Sequence, residues 1–274
     1  MKITKIELQK NNHERYSIYV DEEFYVGIHE EVLIQMGLYQ GQTVTQAQLD
    51  QLTHHEKEHK VIDKALNYLS YGLRSISEMR QYLMQQSFEL EHIEATIERT
   101  IEKLIQMNYL NDEEYAKSYV RTAANLNRKG PRKIQQELKQ RGISESHIMT
   151  GLDEYPMTQQ LENAFDLAEK YCRSKTKYPP AMLKNKLYQY LLQKGFDREV
   201  IQESIDQVEF SSNPEEQYDR LNREGERLLR RHQRKYTGYE LQHRVSSGLY
   251  SKGYDYDLIQ QWLLDKEEAF EEQR

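Results

Sequence analysis

One spacing of five residues occurs four times in this chain and constrains its fold more than any other feature. In Leu138-Lys-Gln-Arg-Gly142-Ile143, a leucine lies four residues before a glycine and an apolar residue follows it. Ile148 and Leu152 come next, four apart. The set returns as Leu191, Gly195, Phe196, Ile201 and Ile205, and as Leu249, Gly253, Tyr254, Ile259 and Leu263. A weaker copy reads Leu83, Ser87, Phe88, Ile93 and Ile97. Centred on 87, 142, 195 and 253, the copies recur at a period that marks a repeat array.

Each copy has a physical reading. A helix that ends Leu-x-x-x-Gly puts the leucine at C3 and the glycine at C′, in a left-handed conformation that caps the last carbonyls. The next apolar residue then folds back onto the leucine. Gly142, Gly195 and Gly253 are therefore structural residues, and Leu138 is expected against Ile143. Ser144, Asp197 or Asp255 follows as an N-cap for a third helix whose two aliphatic residues share a face. At 87 a serine stands where glycine is wanted, and a serine at positive φ carries a steric cost. On this reading Ser87→Gly is neutral or stabilising.

With 37% hydrophobic and 30% charged residues among 274, the chain is poor in core-formers yet strongly periodic. That suits units which touch only their neighbours, not one large core. The expected fold is mainly α, with tandem three-helix repeats forming an elongated array and a small antiparallel β extension at the N-terminus. No apolar run is long enough to span a bilayer and no signal peptide is evident, so the expectation is a cytoplasmic monomer without membrane contact. The one cysteine, Cys172, lies beside Ala168 on an apolar face and reads as core packing. A net charge of −7 argues against a wholly basic nucleic-acid-coating protein and leaves local patches to make any such contact.

In chain order, Lys2–Gln9, Arg15–Asp21 and Glu23–Ile28 alternate as strands, with Asn11-Asn12 and Asp21-Glu22 as turns. A short helix, Glu30–Met36, ends at Gly37, and Thr45 caps another that runs to Leu52. These make an extension over 1–53. Four repeats follow at 54–111, 112–155, 156–210 and 211–274. The first closes with a long helix from Glu89 to Met107. Tyr155-Pro156 and Tyr178-Pro179-Pro180 break the third, and Asn213-Pro214-Glu-Glu216 starts the fourth.

His55-Glu56-x-x-His59 has the spacing of a zinc-protease motif. Its flanks are charged, no GxxH extension follows, and the one third ligand in view, Glu78, falls in another helix. The stretch therefore reads as a solvated leading turn of a helix, with no catalytic residue, metal or cofactor.

Charge is uneven. Asn125–Arg141 carries Arg128, Lys129, Arg132, Lys133, Lys139 and Arg141 against Glu137 alone. Lys170–Lys186 carries Lys170, Arg173, Lys175, Lys177, Lys184 and Lys186 with no acid, and Arg220–Lys235 adds a third basic run. Runs unbalanced by acids read as a partner surface. Tyr171, Tyr178, Tyr188, Tyr236 and Tyr239 lie in or beside them. They read as parts of a thin core, although rings among cations also suit phosphates and bases.

Tyr109-Leu-Asn-Asp-Glu-Glu-Tyr-Ala116, followed by Arg128-Lys-Gly-Pro131-Arg-Lys-Ile-Gln-Gln-Glu-Leu138-Lys-Gln-Arg-Gly142-Ile143, closely resembles the RecX family of bacterial RecA regulators. The resemblance runs from about Val61 to the C-terminus. It implies tandem three-helix repeats and a non-enzymatic cytoplasmic protein. Such a protein binds the RecA nucleoprotein filament along its groove and inhibits recombinase, ATPase and co-protease activities in recombination, DNA repair and the SOS response. Against shorter family members this chain adds the N-terminal sheet and a fourth repeat. The alternatives are a sequence-independent module for single- or double-stranded DNA, which would use the same basic runs without RecA, and a zinc peptidase.

Overall fold

A computed structural model describes residues 1–10, 12–175, 178–210 and 214–270. Three strands open the chain, β1 (Ile3–Gln9), β2 (Asn12–Val20) and β3 (Glu23–His29), paired antiparallel in the order β1-β2-β3. Asp21 and Glu22 form the tight turn between β2 and β3, both at positive φ. Ile18 pairs with Ile6 on one side and Val26 on the other. Ile3, Ile18 and Ile28 are fully buried, with Val32 of α1 (Glu30–Gln35) and Leu49 and Leu52 of α2 (Gln46–Ser70) in the same cluster. The alternation in sequence is thus a one-faced sheet closed by helices.

Helix α2 (Gln46–Ser70) begins at the expected Thr45 cap, where Thr45 and Gln48 bond reciprocally as a capping box. It then runs unbroken for 25 residues. The separate leading turn expected at 53–59 does not form, and the expected boundary at residue 53 lies inside one helix. Nothing in this stretch stops it, since no glycine or proline occurs between Gly41 and Gly72. In α3 (Ile76–Met84) and α4 (Ile93–Gln106) the first repeat completes its core, with Val61, Ala65, Met79, Leu83, Ile97 and Leu104 buried together. Helix α4 starts later than the expected Glu89, because His92 takes a left-handed φ of 56° at its N-cap.

The other helices are α5 (Asp112–Asn125), α6 (Pro131–Gln140), α7 (Glu145–Leu152), α8 (Met157–Ser174), α9 (Pro180–Lys194), α10 (Arg198–Gln207), α11 (Pro214–His232), α12 (Gly238–Ser251) and α13 (Tyr256–Asp265). Grouped in threes from α2, they form tandem three-helix units; the Asn213 cap lies outside the described residues. By contact density the chain divides into two compact units. One comprises Met1–Ala116 with Leu138–Ile148, the other Lys117–Glu137 with Met149–Arg274. In the second unit α8–α10 bury Ala164, Ala168, Leu187, Leu191, Phe196 and Ile201, with half-buried Cys172 against them. Helices α11–α13 enclose Trp262, whose indole N–H donates to Asn222.

All three repeat glycines are left-handed, with φ of 77°, 93° and 82° at 142, 195 and 253. Ile143, Phe196 and Tyr254 donate their N–H back to the carbonyls of Leu138, Leu191 and Leu249. This is the capping pattern that the spacing implied. At 87 the pattern fails: Ser87 has no positive φ, and α3 ends through bonds from Gln85 and Gln86 instead. Ser87→Gly therefore relieves nothing. It adds freedom to the unfolded chain and is expected to lower stability by about 0.5–1 kcal/mol, read as a drop in urea midpoint. Of the three following caps, Ser144 accepts from His147 N–H and Asp255 from Asp257 N–H. Asp197 caps nothing, because its carboxylate is taken by Arg132.

The glycines have a second role that spacing does not show. A Cβ on Gly142 would meet Ser77 at the start of α3, one on Gly195 would meet Lys133 at the start of α6, and one on Gly253 would meet Met182 at the start of α9. Each middle helix thus brings its C-terminus onto the first turn of the middle helix one repeat earlier. At the second junction Gly130 N–H donates to Lys194 O at 2.8 Å and Arg132 N–H to Gly195 O at 3.0 Å. Free amides of one helix end satisfy free carbonyls of another. The first junction uses Ser75, whose hydroxyl donates to Arg141 O at 2.7 Å.

Candidate functional site

The basic run of the second repeat is not a bare positive surface. Arg128 pairs with Asp166 and Lys129 with Glu137, at 2.7 and 2.8 Å. Arg132 pairs with Asp197, Lys139 with Glu145 and Arg141 with Glu78. Only Lys133 of the six has no carboxylate at ion-pair distance among the described residues. Glu137 also accepts from the Tyr119 hydroxyl at 2.7 Å. Burial pushes its carboxyl up, but Lys129 and Tyr119 outweigh that and hold it below the usual carboxylate range. The expectation of an unbalanced charge run is corrected here: besides Glu137, the balancing acids Asp166, Asp197, Glu145 and Glu78 come from outside the run. Such half-exposed pairs stabilise by only about 0–1 kcal/mol each, yet they cancel charge locally.

The run of the third repeat is more open. Lys170 and Lys175 are exposed, with no ion pair among the described residues. Arg173 holds Glu169 one turn away, and Lys184 reaches Asp206 at 3.9 Å. Lys186 sits 4.9 Å over the Tyr178 ring. Lys177 lies outside the described residues. Tyr171 and Tyr190 stack at 4.7 Å, and Lys194 lies 5.5 Å over Tyr190. Tyr171 and Tyr188 also pack on the core of their repeat, as expected of tyrosines in a thin core. Tyr190 and Lys194 lie outside the basic run of the sequence, yet Lys186, Tyr190 and Lys194 are spaced by four on α9 and so share a face.

In the basic run of the fourth repeat some side chains have close acids. Arg220 pairs with Glu216, Arg227 with Glu224 and Arg230 with Glu226. Tyr236 lies under Arg244 at 3.9 Å and half-buried against its core, whereas Tyr239 is 81% exposed.

The histidine motif sits mid-helix and is split. Glu56 is 1% exposed; it pairs with Arg15 and accepts His29 N–H at 2.9 Å, so it has no freedom to act as a base. His55 faces Glu58, and Glu78 is held by Ser75 N–H and Arg141. His59 is buried, not solvated as expected, and stacks on His29 at 4.0 Å. Its Nδ1 lies 3.2 Å from Asp63 and its Nε2 3.4 Å from Glu31. Burial would lower its pKa, but these carboxylates outweigh that and raise it. His59→Ala is expected to lower the urea midpoint by the equivalent of about 1–3 kcal/mol, for the cavity left by a buried ring and the loss of its stacking on His29. His55→Ala is expected to change it little.

Comparison with known proteins gives four matches to family models: the regulatory protein RecX N-terminal domain at residues 1–45, the first three-helix domain of RecX at 62–99, the second at 111–152, and the third at 158–205 and again at 215–263. A regulatory protein RecX of Bacillus cytotoxicus is 36% identical over 265 residues, covering 95% of this chain and 96% of that one. The chain belongs to the RecX family. A second RecX, from Bacillus cereus, is 35% identical over 97% of the chain. A solved RecX structure shares 34% identity at a TM-score of 0.66, covering 75% of this chain and 99% of that one. RecX from Lactobacillus salivarius gives 35% and 0.51 over 56% of this chain. Both additions to the shorter family members have family counterparts. The sheet lies within the RecX N-terminal domain match, and the fourth repeat is a second match to the third RecX domain. Among the described residues no helix is long and apolar enough to cross a membrane.

Proposed function

We propose that this chain binds the RecA nucleoprotein filament and inhibits its recombinase, ATPase and co-protease activities without catalysing a reaction of its own. Recombination, DNA repair and the SOS response are the processes so modulated, in the cytoplasm. The observation that carries this reading is RecX likeness over nearly the whole chain, since every repeat and the N-terminal extension have family counterparts.

For the contact we favour the exposed cations and rings of the third repeat, Lys170, Arg173, Lys175, Lys184 and Lys186, with Lys194 and Tyr190 beside them. Acidic protein or phosphate in the filament groove suits them, many weak contacts adding to a strong one. Lys133 is the second-repeat cation most available to join them. The cations at 128, 129, 132, 139 and 141 would first have to leave their acids.

Binding to bare DNA is the second reading, supported by the same cations over stacked tyrosines. Co-sedimentation with RecA filaments and with bare single-stranded DNA over a salt series separates the two. We expect filament binding to persist at salt that strips the chain from bare DNA. Equal loss from both would favour the DNA-binding module. The peptidase reading draws no support from the fixed Glu56.

A further inference from the structure

We propose that His29, His59 and Asp63 form a binding site for a zinc-type dication where the end of β3 meets α2. Each of the three offers a ligand atom, and these atoms lie within 4.8 Å of one another. Bonds of about 2.0–2.2 Å at tetrahedral angles need ligand atoms about 3.3 Å apart. Asp63 Oδ1 and His59 Nδ1 already stand at 3.2 Å. They sit four residues apart on one rigid helix, so α2 fixes half of the site.

A second observation points to a ligand. His59 is 7% exposed, yet its Nδ1 has no hydrogen-bond partner, only the 3.2 Å ion-pair contact with Asp63. Buried ring nitrogens are ordinarily satisfied. A cation between Nδ1 and Asp63 would satisfy it. On the far side of the ring, Nε2 lies 3.4 Å from Glu31 Oε2. That is the place of the outer carboxylate that orients a ligating imidazole and fixes its proton on the other nitrogen.

Two imidazoles and one carboxylate select a borderline metal such as zinc over calcium or magnesium, which prefer oxygen ligands throughout. His29 is the element that must move. It stacks flat on His59, at an interplanar angle of 16°, and its Nδ1 accepts from Glu31 N–H as the cap of α1. Ligation through either nitrogen ends that bond, because a neutral ring that binds metal through one nitrogen carries its proton on the other. Metal binding therefore competes with the α1 cap, while Asp63 can ligate through Oδ1 and keep Arg15 on Oδ2 at 3.7 Å. The affinity expected is moderate.

The test is calorimetric titration of chelator-treated full-length chain with zinc chloride, alongside the d–d absorption of added cobalt(II). One ion per chain is expected, with a rise in melting temperature. Asp63→Asn and His29→Gln should each weaken binding by about tenfold or more, the loss that even an outer partner of a metal ligand produces. Both are conservative, and circular dichroism checks that they fold. His55→Gln should bind as wild type. Absence of binding at about a hundred times protein concentration, undiminished binding in folded Asp63→Asn, or loss of binding in His55→Gln would each overturn the site.

Discussion

Valine in place of Gly195 is expected to destabilise the chain by about 3 kcal/mol or more, from two sources that act together. At a φ of 93° a β-branched residue is strained in isolation. Its Cβ would also stand 2.4 Å from the backbone nitrogen of Lys133 and 2.5 Å from that residue's Cβ. Backbone cannot swing aside as a long side chain can, so the junction between α9 and α6 must open. Gly130 separates the two causes, because it has no positive φ, yet a Cβ there would lie 2.3 Å from the backbone of Gly195 and Phe196. Gly130→Ala is therefore expected to approach the cost of Gly195→Val. Gly37→Ala, at positive φ with nothing within 4 Å of the new Cβ, is expected to cost only about 1 kcal/mol. Urea midpoints of the three variants give the ranking. A mild Gly130→Ala would mean that the helix ends do not meet as described.

Reversing Lys170, Lys175 and Lys186 to glutamate is expected to reduce RecA inhibition at least about tenfold, because three close contacts each turn from attraction to repulsion. Helicity and melting temperature should stay near wild type, since these side chains are exposed and none is ion-paired among the described residues. The corresponding reversal at Arg128, Lys129 and Arg132 is a poorer probe. It sets new carboxylates against Asp166, Glu137 and Asp197 and should lower the melting temperature whatever the partner. As controls, Glu94→Lys and Glu102→Lys suit better than Glu98→Lys, for Glu98 accepts twice from Arg80. Full potency of the third-repeat variant at moderate salt would move the contact elsewhere, with the N-terminal sheet next.

What the sequence disclosed was local. Glycine caps are set within six residues, so Gly142, Gly195 and Gly253 could be placed from spacing alone, as could Thr45 at the start of α2. The departures come from partners remote in sequence. Asp197 has the right neighbours for a cap, but Arg132, 65 residues earlier, takes its carboxylate. Arg128 looks unopposed until Asp166 arrives from α8, and Arg141 until Glu78 does from α3. His59 looks solvated among charged neighbours because the sheet residue that covers it, His29, lies 30 positions upstream. The same distance hid the grouping of His29 with Asp63. A motif such as His55-Glu56-x-x-His59 shows what one helix can line up, but the ring that stacks on it comes from a strand.

RecA-dependent ATP hydrolysis on single-stranded DNA, followed with increasing amounts of this chain, reads regulation of RecA without an intermediate step. A saturating fall in hydrolysis is expected, which the Lys170, Lys175 and Lys186 reversal largely abolishes. Hydrolysis unchanged at an excess of folded chain over RecA would contradict that regulation.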